Sequence, residues 1–114
     1  MKSRIMYIEL KGNRVDGPAR IGRVTFSRTG KSLYYKGRRS HTLLGRGFRA
    51  NYFDFETGEH YWISGSKRRG GDRLYSGTTE IDDDAREEYW TEIRCLPDQK
   101  KQRRIRCTGK YPLA

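Results

Sequence analysis

Apolar and polar positions alternate along most of this chain, and a four-residue period takes over once, from residue 81. Residues 3–10, Ser-Arg-Ile-Met-Tyr-Ile-Glu-Leu, are β-prone and partly alternating, which predicts a first strand. Residues 11–19 hold two glycines and a proline and predict a loop. Over 20–27, Ile21, Val24 and Phe26 alternate with Arg20, Arg23 and Thr25, with Gly22 as a bend or bulge. Arg28-Thr29-Gly30-Lys31 predicts a hairpin turn, with Gly30 free to take positive φ, and 32–36 returns as a strand. Residues 37–47 form a basic, glycine-bounded stretch with a short apolar step at Leu43-Leu44.

Phe48 to Phe55 predicts the next strand, Glu56-Thr57-Gly58 a turn, and 59–64 the returning strand. With Gly58 in the left-handed position of a three-residue loop, Asp54 faces His60, Phe53 faces Tyr61 and Tyr52 faces Trp62. Residues 65–72 predict a flexible basic loop and Arg73-Leu74-Tyr75 a short strand.

Ile81, Ala85, Tyr89 and Ile93 recur every four residues and Trp90 widens that stripe, which predicts a helix over 82–94. Asp82 suits its N-cap, and Asp83, Asp84, Glu87 and Glu88 suit the positive end of its dipole. Arg94 suits the C-terminal end, and Pro97 opposes continuation. Short strands, closely spaced turns and one late helix predict a mainly β fold, a small antiparallel barrel or curled sheet. A Src-homology-3-like barrel is the first expectation and an oligonucleotide-binding-like barrel the second. Residues 1–97 form the single domain in this reading, and 98–114 a basic, mobile tail.

Two stretches carry a resemblance. One is Arg20-Ile21-Gly22-Arg23-Val24 with Thr29 to Tyr35. The other runs through Ala50-Asn51-Tyr52-Phe53-Asp54, Thr57-Gly58-Glu59, Tyr61 to Gly65, Asp72 to Tyr75 and Arg86 to Trp90. Together they resemble a family of small bacterial proteins with no assigned activity, over roughly residues 20–94. The resemblance implies a bacterial source and an intact small domain, and supplies no catalytic residues.

Composition narrows the reading. In 114 residues, 33% apolar and 34% charged positions keep the core small, and eight Tyr, four Phe and two Trp compensate with large buried areas. No apolar run approaches the roughly 20 residues of a membrane span, and Met1-Lys2-Ser3-Arg4 lacks the apolar segment of a signal peptide. Cys95 and Cys107 have no zinc-type companions. The expectation is a cytoplasmic chain with reduced thiols, no metal and no cofactor.

Charge points to a partner class. Residues 1–53 carry thirteen Lys/Arg against two acids, residues 54–97 six against eleven, and residues 98–114 six against one. Basic excess at both ends suits a polyanion, whose condensed counterions each bound cation releases. Arg20, Arg23, Arg28, Lys31, Lys36, Arg38, Arg39, Arg46 and Arg49 fall on neighbouring strands or their loops, interleaved with Tyr34, Tyr35, Tyr52 and Trp62. Charge that tracks a backbone beside rings that stack on bases is how small barrels hold single-stranded nucleic acid. The competing reading puts those rings in the core; burial of Tyr52 and Trp62 by the Tyr89, Trp90 and Ile93 stripe would decide it.

Lys67-Arg68-Arg69-Gly70-Gly71 has donors for a phosphate, but not the spacing of a nucleotide-hydrolase loop, and a solvated tip is its ordinary role. Residues 20–24 match no dinucleotide motif, because they enter a strand. His60 opposite Asp54 has the elements of an oriented general base for a small basic ribonuclease or toxin, against the simpler reading of a cross-strand charge pair. The tail cations Lys100, Lys101, Arg103, Arg104 and Arg106 form an electrostatic arm. The leading expectation is a non-catalytic module for RNA or single-stranded DNA. A protein–protein module using the Tyr/Trp face and a ribonuclease are the alternatives.

Overall fold

The computed structural model describes residues 2–11, 17–43, 50–72 and 77–107, residue 107 by its backbone alone. Six strands, β1 (Ser3–Leu10), β2 (Ala19–Phe26), β3 (Ser32–Tyr35), β4 (Arg38–Thr42), β5 (Tyr52–Asp54) and β6 (His60–Gly65), pair antiparallel in the order β1-β6-β5-β4-β3-β2. The β1–β2 pairing closes them into a barrel. β7 (Gly77–Ile81) runs parallel to β2, and β8 (Arg104–Cys107) pairs antiparallel with β7.

Alternation explains the two cores. Met6, Ile8, Val24, Leu33 and Ile63 fill the barrel, with Phe26, Tyr35, Tyr52 and Tyr61 packed against them. Ile5, Tyr7, Ala19 and Ile21 lie on the outer side of β1 and β2, where Ile81, Ala85, Tyr89 and Trp90 cover them. β1 is therefore buried on both sides, which is why Ile5-Met6-Tyr7-Ile8 is an unbroken apolar run.

The expected helix is shorter and differently built. An α-helical turn, α1 (Arg86–Glu88), widens into a π-helical stretch at Tyr89–Ile93, closed by the Arg94 N–H donating to the Tyr89 carbonyl at 2.9 Å. The Ile81, Ala85, Tyr89 and Trp90 stripe is buried as the periodicity predicts. Asp82 makes no side-chain cap; it is buried and bonded to the barrel. Nor is Gly22 a bulge, since the β1–β2 register runs through it unbroken from Ser3↔Thr25 to Glu9↔Ala19.

Three strands escaped the sequence pattern: β4 inside the stretch read as a loop, β7 ahead of the helix and β8 inside the expected tail. The expected tail is part of the fold as far as residue 107. Pro97–Gln99 forms a 3₁₀ turn, the Trp90 indole N–H donates to the Gln102 carbonyl at 2.8 Å, and β8 extends the sheet. Ile105 also packs against the outer core. The expected strand over 73–75, and residues 108–114, lie outside the described residues. No helix among the described residues is long and apolar enough to cross a membrane.

Candidate nucleic-acid interface

The side of the barrel on which each strand residue falls sorts the predicted aromatics. Tyr35 and Tyr52 point inward and pack on the barrel core. Burial, and then its hydrogen bond to Asp82, raise the Tyr35 pKa, and burial raises that of Tyr52. Both rings are half-buried against that core. Tyr34 and Trp62 alternate to the outside, Trp62 with 37% of its surface exposed. The helix stripe buries neither Tyr52 nor Trp62, because it packs on Ile5, Tyr7, Ala19 and Ile21 instead.

Beside Tyr34 and Trp62 the fold assembles groups that the sequence reading did not join. Cross-strand pairing sets Tyr34 opposite Arg39, His41 opposite Phe53, and Phe53 opposite His60. The His41 ring stacks on Phe53 with centroids 5.9 Å apart and lies 5.3 Å from Phe55. The Arg39 guanidinium sits 5.1 Å over the Phe55 ring, a cation–π contact. Phe55 is 58% exposed. The outer side of β3–β6 thus carries a band of Tyr34, Arg39, His41, Phe53, Phe55, His60 and Trp62. The signal for it was the period-two spacing of Phe53 and Phe55, opposite in phase to Tyr52.

The Asp54–His60 pair is not formed. His60 faces Phe53, and Tyr52 faces Tyr61, one residue out of the expected register. The loop is longer than predicted: Gly58 does take positive φ (76°), but its N–H donates to the Asp54 carbonyl, and the Asp54 N–H donates to the Glu59 carbonyl. Asp54 holds that loop by accepting the Glu56 and Thr57 N–H groups at 2.8 and 2.9 Å. Arg38, 2.9 Å away, and then the Thr57 N–H lower its pKa to about 2. His60 is exposed on the opposite side of the sheet.

Carboxylates neutralise much of the predicted basic surface. Asp82 binds Arg20 at 2.5 Å and Lys36 at 3.5 Å, and this bond raises the Arg20 pKa. Arg23 pairs with Glu88 at 3.0 Å, Arg38 with Asp54, and Arg104 with Glu80 at 2.9 Å. Arg39, Lys67, Arg68, Arg69, Lys100, Lys101, Arg103 and Arg106 form no salt bridge among the described residues. Arg46 and Arg49 lie outside the described residues.

The basic loop after β6 is anchored, in contrast to the flexible segment expected. Buried Arg94 and Asp72 pair at 3.2 Å, and Arg94 also donates to the Tyr89 hydroxyl and to the Gly70 carbonyl. Asp72 accepts the Lys67 N–H at 2.8 Å. Burial raises the Asp72 pKa, against the pull of that N–H and of Arg94. Lys67, Arg68 and Arg69 are thereby presented from a loop tied to the helix.

No three His, Cys, Asp or Glu residues among those described cluster closely enough to hold a metal ion. Comparison with protein-family models, with curated protein sequences and with solved structures finds no match to this chain.

Proposed function

We propose that this chain is a non-catalytic module that binds RNA or single-stranded DNA across the outer side of β3–β6. The observation that carries the reading is the exposed Phe55 ring, backed by His41 and capped by Arg39, on a band that also holds Tyr34 and Trp62. Rings of this kind stack on bases of any sequence, and the guanidinium meets the backbone phosphates. Lys67, Arg68 and Arg69, with Lys100, Lys101, Arg103 and Arg106, add charge free of salt bridges among the described residues. The buried carboxylates Asp54 and Asp82 instead hold the barrel together.

Fluorescence anisotropy with labelled single-stranded RNA, double-stranded RNA and double-stranded DNA across a salt series tests this reading. Single strands should bind preferentially near physiological salt, with affinity falling as salt rises. Phe55→Ala and Trp62→Ala should each weaken binding about tenfold, from the ~1–3 kcal/mol that a stacked base contributes. Tyr52→Phe, inside the barrel, should leave it unchanged. Equal binding of all three probes at low salt only would reject the module. A salt-insensitive complex with a protein would transfer the same exposed rings, Phe55 and Trp62, to a protein-docking role.

A further inference from the structure

The two ends of the barrel differ in charge, and the difference follows from where the strands begin and stop. At one end, where β3 leaves and β4 enters, Asp82 pairs with Arg20 and Lys36, and Asp54 with Arg38. At the other, β1 begins, β2 turns into β3 and β6 ends. Here a half-open hollow of about 810 Å³ is lined by Lys2, Arg4, Phe26, Ser27, Arg28, Thr29 and Gly30. None of these is acidic, and Lys2, Arg4 and Arg28 form no salt bridge among the described residues.

The polar lining is poised to donate. Arg4 is in phase with Met6 and Ile8, so it stands at the barrel mouth, and it lies against Gly65, where an added Cβ would come 3.3 Å from its Nη2. The turn orients two hydroxyls. Ser27 Oγ accepts the Ser32 N–H at 3.1 Å, and Thr29 Oγ1 accepts the Lys31 N–H at 3.4 Å. Each oxygen accepts one of these bonds and keeps its O–H as a donor. Three cations and two hydroxyl donors, with no carboxylate, match the all-acceptor surface of a phosphate. Phe26, half-buried against the barrel core, supplies an apolar wall. The hollow falls within the size of small-ligand sites, roughly 300–1,000 Å³.

We infer that this hollow binds a phosphomonoester carried on a planar base, as in a mononucleotide or the 5′-phosphate end of a single strand. The inference does not rest on the stacking band. It is tested by titrating the full chain with adenosine monophosphate, adenosine and inorganic phosphate, followed by calorimetry and amide NMR shifts. The monophosphate should bind one to one, with shifts centred on residues 26–31, and adenosine at least tenfold more weakly. Arg4→Gln and Arg28→Gln should each lower the monophosphate affinity about tenfold with melting temperatures preserved, and Arg4→Lys should lower it less than Arg4→Gln. Phe55→Ala and Trp62→Ala should leave it unchanged.

Equal binding of monophosphate and adenosine, no binding at millimolar concentration, or full affinity in both Gln variants would overturn the site. So would loss of monophosphate binding in the Phe55 and Trp62 variants. Comparing 5′-phosphorylated with 5′-hydroxyl pentanucleotides then separates the sources. A tenfold gain from the phosphate assigns a strand end, whereas equal affinities beside a bound monophosphate assign the free nucleotide.

Discussion

Gly22 is where a missing Cβ matters most. A methyl there would collide with the Asp82 carboxylate and the Tyr35 ring, so the bare backbone is what lets Asp82 reach Arg20 and Tyr35, 62 and 47 residues earlier in the chain. The sequence marked Gly22 as special but suggested a bulge, because the carboxylate it accommodates is set by tertiary packing and leaves no local trace. Gly22→Ala should destabilise the fold by about 1–3 kcal/mol, the usual range for overpacking, and urea unfolding would measure it. Asp54 is a second residue whose role depends on partners. Its pKa of about 2 lies below the unfolded value of about 4, so its contribution to stability is complete above pH 4 and is lost as pH falls toward 2. Asp54→Asn should therefore flatten the acid limb of the stability profile between pH 4 and 2. An unchanged limb would remove the Arg38–Asp54 pair from the account of acid sensitivity.

Elements were legible where apolar alternation was strong and hidden where turn chemistry was unusual. β1, β2, β3 and β6 follow the pattern closely. β4 does not, because Arg38-Arg39-Ser40-His41-Thr42 has no apolar residue and is entered through Lys36 and Gly37, both at positive φ (50° and 78°). This two-residue turn has the backbone signs of type I′, which Asn-Gly would have announced and Lys-Gly does not. The outer band suffered likewise: without β4, nothing in the sequence set Arg39 and His41 beside Phe53 and Phe55. The helix was visible from its stripe, whereas its π-helical widening depends on seating adjacent Tyr89 and Trp90 together. Its C-terminal end is closed by Cys95 at φ 57° and by the Leu96 N–H donating to the Trp90 carbonyl, one residue wider than the bond of a Schellman cap. A left-handed non-glycine residue is strained, so Cys95→Gly should raise stability by about 0.5–1 kcal/mol. A thermal midpoint that does not rise in the variant would show that the strain is relieved elsewhere.

For the whole molecule, the question is where the domain ends. The basic composition beyond residue 97 suggested an appendage, and composition is a poor guide here because a strand needs only alternate residues to face the core. Ile105 is that residue in β8, while Arg104 and Arg106 stay in solvent. β8 completes β7, and β7 in turn pairs with β2 at Arg20↔Glu80 and Ile21↔Ile81, beside the barrel closure. The same segment satisfies the buried Trp90 indole through Gln102. Removing residues 98–114 therefore strips an edge strand, a packed Ile and the partner of a buried N–H, rather than a solvated arm. The loss should be about 3–5 kcal/mol, a large share of the ~5–15 kcal/mol typical of a domain. The truncated chain should melt roughly 10 °C or more below the full chain. In a Trp62→Phe background, Trp90 is the only tryptophan and reports the change directly, its emission moving to the red as the indole meets water. A truncated chain that melts within 2 °C of the full one, with Trp90 emission unmoved, would return the segment to the role of a dispensable basic arm. Weaker nucleic-acid binding in a stable truncated chain would then be a pure effect of charge. In a destabilised one the charge has to be tested separately, by exchanging Lys100, Lys101 and Arg103 for Gln while Arg104 keeps its pairing with Glu80.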